Sequence, residues 1–163
     1  MIFITVGTHE QPMNRIFETV DKMIGSGEIT EKVIAQSGYS TYKSDRILMQ
    51  KFMPFDEMQE LMGETNLVIT HGGAATYLDA IEKGNSVIVV PRLKKFNEHV
   101  NDHQYEFLEA LRTHNISIPF ALDNDDLRKL IIDRPMPSKF SVRDKSKFMN
   151  QFELVIAELI GRN

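Results

Sequence analysis

The 163-residue chain has no cysteine, which excludes disulfides, thiolate zinc sites, iron–sulfur clusters and cysteine nucleophiles. That absence fits a reducing compartment, and a cytoplasmic location is the expectation. An excess of positive charge is also lacking: 19 Lys and Arg against 23 Asp and Glu give a formal net charge of -4. The chain as a whole therefore has no general attraction for nucleic acid. No run approaches the roughly 20 apolar residues of a membrane span. The opening MIFITVGTHE has neither a basic leader nor a small-residue cleavage site, so it does not read as a signal peptide. Internal repeats and low-complexity tracts are missing, as are the phosphate-loop patterns GxGxxG and GxxxxGK followed by Ser or Thr.

What is present is an ordinary globular composition. Hydrophobic residues are 42% and charged residues 26%, too apolar for disorder and enough for a compact core. At roughly 150 residues per domain the length suits one domain or slightly more.

Met1 to Val6 is a continuous apolar run with β-branched Ile2, Ile4, Thr5 and Val6, which predicts a strand buried on both faces and hence a parallel sheet. Met13, Ile16, Phe17, Val20, Met23 and Ile24 recur at helical spacing, with Pro12 at the first helical position and Gly25 and Gly27 as the stop. Further strands are expected at 32–36, 47–52, 66–70, 86–90 and 116–120. Further helices are expected at 55–62, 74–83, about 98–113, 123–132 with Asp123 as cap, and about 142–160. Residues 92–97 read as a polar, cationic loop. The alternation argues for βαβ units, an α/β fold with a Rossmann-like parallel sheet flanked by helices. The domain proper is placed at 1–134. The PMP at 135–137 opens a segment, 135–163, of linker and C-terminal amphipathic helix. Its stripe of Phe148, Phe152, Val155 and Leu159, widened by Met149, Ile156 and Ile160, suits either a docking surface for a partner or a helix packed wholly on its own domain.

In an open parallel sheet, ligands bind beyond the carboxyl ends of the strands. Three loops fall there. Gly7-Thr8-His9-Glu10-Gln11 offers backbone N–H groups to an anion, or is simply a tight turn with a Thr cap. His9 and Glu10 are its candidate acid/base groups. His71-Gly72-Gly73 precedes a helix, and two glycines allow close backbone approach to a diphosphate; a hydrogen-bonded loop histidine is the plain alternative for His71. Asp79, eight residues after His71, suits a ribose diol or is merely solvated. Glu98 to Gln104 gathers two carboxylates, two histidines and two amides. His99 and His103 have the spacing of a helical metal pair but lack the adjacent glutamate of a metalloprotease, so recognition of sugar hydroxyls is preferred to a metal. The DxD at 123–125 reads as helix capping rather than magnesium binding.

Taken as an ordered series, GTHEQP, THGGAAT with Asp79 behind it, Gly84, Pro91 and NDHQ resemble the donor-binding, C-terminal half of GT-B glycosyltransferases. This is the kind that includes the lipid II N-acetylglucosaminyltransferase. The closer resemblance is to its split branch: the cytosolic subunit of the dolichol-linked N-acetylglucosaminyltransferase and the small subunits of bacterial capsule and exopolysaccharide systems. The resemblance spans about residues 1–120 and implies an inverting transferase that takes a UDP-sugar as donor, with no metal and no other cofactor. By matched position, Phe52 and Met53 meet the uracil edge, and His71, Gly72, Gly73, Ala74, Ala75 and Thr76 form the pyrophosphate-binding helix start. Asp79 resembles the ribose-binding acid, and Asn101, Asp102, His103 and Gln104 are similar to the segment near the donor sugar; Gly7 and Thr8 belong to the donor loop, and the base is either His9 or Glu10 of this chain or a group of the partner. Asp79 stands where many relatives have Glu, and the interval from Pro91 to Gln104 is longer than in single-chain relatives. The acceptor-binding half is absent. The resemblance therefore implies a membrane-associated partner subunit, a lipid-linked saccharide acceptor, and recruitment to the inner face of the membrane through that partner. A non-catalytic UDP-sugar-binding or activating subunit is the alternative.

Overall fold

A computed structural model of the chain describes residues 1–137 and 142–161. Residues 138–141, 162 and 163 lie outside that description, as do the side chains of 142–145, 159 and 160, and with them Leu159 and Ile160 of the expected stripe. In chain order the elements are β1 (Ile2–Thr5), α1 (Asn14–Gly25), β2 (Val33–Gln36), β3 (Leu48–Gln50), α2 (Phe55–Glu64), β4 (Leu67–His71), α3 (Ala74–Glu82), β5 (Ser86–Val90), a single 3-10 turn (Lys94–Phe96), α4 (His103–Thr113), α5 (Asn124–Asp133) and α6 (Val142–Ile160).

The five strands form one parallel sheet in the order β3-β2-β1-β4-β5. This is the Rossmann-like arrangement that the alternation predicts. The pleat sends alternate residues to opposite faces. Ile2, Ile4 and Val6, with Leu67, Ile69, Ile88 and Val90, meet Ile16, Phe17, Val20 and Met23 of α1 and Leu127 and Ile131 of α5. Phe3, Val68, Val87 and Val89 face the other way, onto Met62 of α2, Tyr77, Ala80 and Ile81 of α3, Leu108 and Leu111 of α4, and Phe148, Phe152 and Val155 of α6. Each fully buried Ile or Phe is worth roughly 1.5–3 kcal/mol relative to exposure, so β1, with Ile2, Phe3, Ile4 and Val6 all buried, is the hub of both layers. α6 is seated on α4 by Phe152, whose ring meets Phe107 edge-on at 5.2 Å.

Three boundaries differ from expectation. The helix expected from Glu98 starts at His103, because Glu98 turns inward onto Arg15. Ahead of it, Asn97 closes the 3-10 turn at φ 56°, a left-handed conformation incompatible with helix continuation. The strand expected at 116–120 shrinks to one bridge between Phe120 and Val89, since Pro119 in its middle has no N–H for a ladder. Pro12 is not the first helical residue: α1 begins at Asn14, where Asn14 Oδ1 accepts the N–H groups of Thr41 and Tyr42 and so anchors the helix start to the β2–β3 connection.

Candidate active site

β1 and β4 are neighbours in the middle of the sheet, although α1, β2, β3 and α2 intervene between them in sequence. Their carboxyl ends are where a ligand crevice opens in such a sheet. A cleft of about 520 Å³ lies there, lined by Thr8, His9, Glu10, Tyr39, His71, His99 and Gln104. Four strand exits contribute to it. β1 supplies Thr8 to Glu10, β2 supplies Tyr39, β4 supplies His71, and the chain after β5 supplies His99 and Gln104.

The glycines explain how these loops meet. Gly7 has φ +70°, and a Cβ there would stand 2.7 Å from the ring of His71. A Cβ on Gly73 would stand 2.4 Å from His71 Nε2, and one on Gly72 2.5 Å from Gln104 Cβ. The two glycines after β4 thus make room for His71 and Gln104, side chains of the cleft itself, where the sequence suggested room for a diphosphate. Gln104 ties the exits of β4 and β5 together: its Oε1 accepts from Gly72 N–H at 3.1 Å and from Arg92 N–H at 2.8 Å. Gly73 is the N-cap of α3 with no side-chain capping bond, which leaves the first-turn N–H groups of Ala74 and Ala75 without intrahelical partners.

His71 is neutral at physiological pH. Burial first, and then the positive charge of Arg92, push its pKa down from 6.5 to about 4, and a backbone hydrogen bond with Thr5 only partly opposes them. His9 does not pair with Glu10. Its Nε2 meets Gln11 Oε1 at 2.9 Å, and its ring stacks on His99 at 4.7 Å, while Glu10 is exposed. His99 Nδ1 accepts from Asn101 N–H, Asn101 Oδ1 accepts from His103 N–H, and Asp102 Oδ1 accepts from Lys94 N–H at 2.8 Å. Asn101, Asp102 and His103 thereby shape the approach to α4 without lining the cleft.

The predicted residues at the far end sit apart from this centre. Met53 N–H donates to Gln36 Oε1, and Phe52 carbonyl accepts from Gln50 Nε2, so two of the backbone groups expected to face uracil are engaged within the protein. The Phe52 ring reaches the cleft through Tyr39, which it meets edge-on at 5.5 Å, and Lys51 Nζ lies 4.5 Å over the Tyr39 ring. Asp79 accepts from Gln59 of α2, deeper along α3. Asp123 Oδ1 accepts from Asp126 N–H at 2.8 Å, the capping role expected of it. Among the described residues no group of three or more His, Asp or Glu could hold a metal ion, and no helix is long and apolar enough to cross a membrane.

Sequence reasoning passed over two members of this region, Tyr39 and Arg92, and weighed a third, His99, for a metal pair with His103. Tyr39 follows Gly38, whose φ of +55° marks it as a strand-exit turn, a signal available in the GY pair. His99 was visible only within a polar cluster. Arg92 was taken for part of a solvated loop, yet it is fully buried.

A second hollow of about 550 Å³ lies among Pro12, Arg15, Glu18, Phe96, Glu98 and the start of α5 at Asp123 to Asp125, and shares none of the residues that line the cleft.

Comparison with known proteins agrees with this architecture. The chain is 26% identical over 116 residues, 67% of its length, to the UDP-N-acetylglucosamine transferase subunit ALG13 of Mus musculus, and 28% identical over 93 residues, 55% of its length, to the zeaxanthin glucosyltransferase of Pseudescherichia vulneris. It spans only 10% and 22% of the lengths of those relatives. Among solved structures, the glycotransferase of kitacinnamycin superposes over 99% of the chain with a TM-score of 0.56 at 13% identity. The glycosyltransferase SnogD from Streptomyces nogalater does so over 99% with 0.53 at 17%. The chain covers 42% and 43% of those two structures, a likeness of fold to one half of a GT-B enzyme. The pattern of the glycosyltransferase family 28 C-terminal domain runs through residues 1–158, and the chain belongs to that family.

Proposed function

We propose that the chain is the donor-binding, catalytic subunit of an inverting glycosyltransferase that takes a UDP-sugar and serves capsule or exopolysaccharide synthesis. The observation that carries this reading is the convergence of four strand exits on one polar cleft lined by His71, two residues ahead of the uncapped N-cap of α3 at Gly73, in a chain of this family. In the reaction, an acceptor hydroxyl oxygen attacks the anomeric carbon, its proton passes to a base, and the bond to UDP breaks. The first-turn N–H groups of Ala74 and Ala75, at the positive end of the helix dipole, suit the charge that develops on the departing diphosphate. His9 is the better base of the two candidates, because Gln11 and His99 hold its ring in the cleft; Glu10 is the second. Gly7, Thr8 and Gly72 to Thr76 frame the diphosphate. Asp79 takes the ribose, Phe52 and Met53 the uracil end, and Asn101 to Gln104 the sugar. No metal or other cofactor enters this scheme.

The other half of the active site has to come from elsewhere. One relative is named as a subunit, which supports a separate partner; in this reading the partner is membrane-associated, binds a lipid-linked saccharide and brings this chain to the inner face of the membrane. The outward Leu154 and Ile156 of α6, 63% and 38% exposed, are the docking face in this reading.

Titration of the chain with UDP and a panel of UDP-sugars, followed by transfer assays with the partner from the neighbouring reading frame, tests the proposal. His9→Ala is expected to abolish transfer while leaving UDP affinity within about twofold. Full transfer by the triple variant His9→Ala, Glu10→Ala, His71→Ala would leave only a non-catalytic, sugar-nucleotide-holding role.

A further inference from the structure

The side chain of Arg92 is fully buried directly behind the cleft. Its Nη2 donates to the carbonyl of Val6 at 2.8 Å, and its Nη1 to the carbonyls of Gln11 at 2.7 Å and Glu98 at 3.0 Å. One planar fork therefore grips both ends of the segment that carries Gly7, Thr8, His9 and Glu10. The backbone N–H of the same residue donates to Gln104 Oε1, which also holds Gly72. Through its side chain and its own amide, Arg92 links the β1, β4 and β5 exits.

The charges around it do not balance. Glu98 is the one buried carboxylate near it, but both its oxygens serve Arg15, with Nε–Oε1 at 2.8 Å and Nη2–Oε2 at 3.1 Å, and Oε2 also accepts from Leu93 N–H. Arg92 hydrogen-bonds only to carbonyls and feels the Glu98 carboxylate without bonding to it, and its Nε has no partner among the described residues. Two buried guanidinium groups thus share one carboxylate. An ion withdrawn from water without a counter-charge costs several kcal/mol, and an anion in the adjacent cleft would offset part of that cost. His71 cannot supply the positive charge, since it is held neutral, partly by Arg92 itself; His9 and His99 line the cleft on the same side.

We propose that Arg92 is a positioning residue for a diphosphate ligand: it fixes the segment 6–11 against Gly72 and Gln104, and it places behind that segment a positive charge that has to share its one carboxylate with Arg15. This rests on the donor-binding reading above and adds a residue to it that touches no substrate.

Ligand-observed NMR titrations with UDP and with uridine, beside thermal melting, test it on the full chain as wild type, Arg92→Met and Arg92→Lys. Arg92→Met is expected to weaken UDP about tenfold, equivalent to about 1.4 kcal/mol, with uridine unchanged within about twofold. Arg92→Lys keeps the charge but offers one nitrogen in place of the two terminal nitrogens, Nη1 and Nη2, that grip the segment, so its UDP affinity is expected to fall between. Equal weakening of both ligands would mean a purely structural role and overturn the proposal, as would unchanged binding of both. If Arg92→Met does not fold, Arg92→Lys decides on the same two criteria. A wild type that binds no UDP overturns the donor-binding reading itself; a wild type that binds UDP with a UDP-to-uridine ratio insensitive to Arg92 overturns this inference alone.

Discussion

At the exit of β1 the chain turns at Gly7 with φ +70°, and residues 6–13 run across the cleft before α1 begins at Asn14. At the exit of β4, Gly72 and Gly73 lead directly into α3 at Ala74. The first segment is too long to support itself and is gripped from behind by Arg92, which is in turn set by Glu98 and Arg15. The second is short, and its geometry comes from the helix it starts and from the two side chains, His71 and Gln104, that fill the space above its glycines. Two glycine-bearing loops that look alike in sequence therefore do different work. Gly7 is needed both for its backbone angle and for the room it leaves the His71 ring, Gly72 and Gly73 for room alone.

The largest effect expected from this contrast is at Glu98. Glu98→Ala leaves Arg15 and Arg92 buried with no carboxylate, and a loss of about 3–5 kcal/mol is expected in urea unfolding. Native-state hydrogen exchange should rise in residues 6–11 and change little at 72–76. Equal loosening of both loops would break the comparison.

Glycine substitutions come next. Gly7→Ala meets both a left-handed backbone and the His71 ring, so a loss of about 2–3 kcal/mol is expected. Gly73→Ala has φ −71°, which alanine adopts freely, so its cost is only that of moving the His71 ring aside. It should be about half as large, and a shift of the His71 resonances should report the movement.

A pH effect separates the loops further. Because the pKa of His71 is lowered from 6.5 to about 4, the unfolded chain takes up a proton that the folded chain refuses. The contribution is whole above pH 6.5 and is lost as pH falls toward 4, at up to about 1.4 kcal/mol per unit. In His71→Asn that part of the acid sensitivity should vanish. A profile identical to wild type would mean that His71 titrates normally.

The smallest effect serves as a control. Asp123→Ala removes the side-chain cap of α5 and should cost about 1 kcal/mol of stability without altering UDP affinity. A change in affinity would mean that the start of α5 communicates with the cleft.

Much of this was legible in the sequence, because it depends on local patterns. The apolar runs of β1, β4 and β5 and the helical spacing of α1 and α3 follow from neighbours a few residues apart, and the cap at Asp123 follows from its own first turn. The boundaries that moved at Pro12 and Glu98 are those where a distant partner overrode a local preference, whereas at 116–120 Pro119 itself interrupts the ladder. Glu98 has good helical spacing ahead of His103, but a buried salt bridge to Arg15 pulls it out of the helix. Arg92 and Glu98 had no sequence signal that set them apart from other charged residues, since charge alone reads as solvation.

The sequence by itself determined the fold class, three of the four strand exits that face the cleft, and the glycines and histidines at those three exits, since periodicity and chain order suffice for each. Only the tertiary structure decided which partner each of those residues meets. His71 became a half-buried neutral ring between Gly7 and Gly73, Gly72 and Gly73 became space for side chains, and His9 found Gln11 and His99 rather than Glu10. Arg92, 86 residues from Val6 along the chain, became the anchor of the first loop. The physical reason is that burial, electrostatic environment and hydrogen-bond pairing belong to the space between elements, and that space exists only once the sheet has brought distant strand ends together.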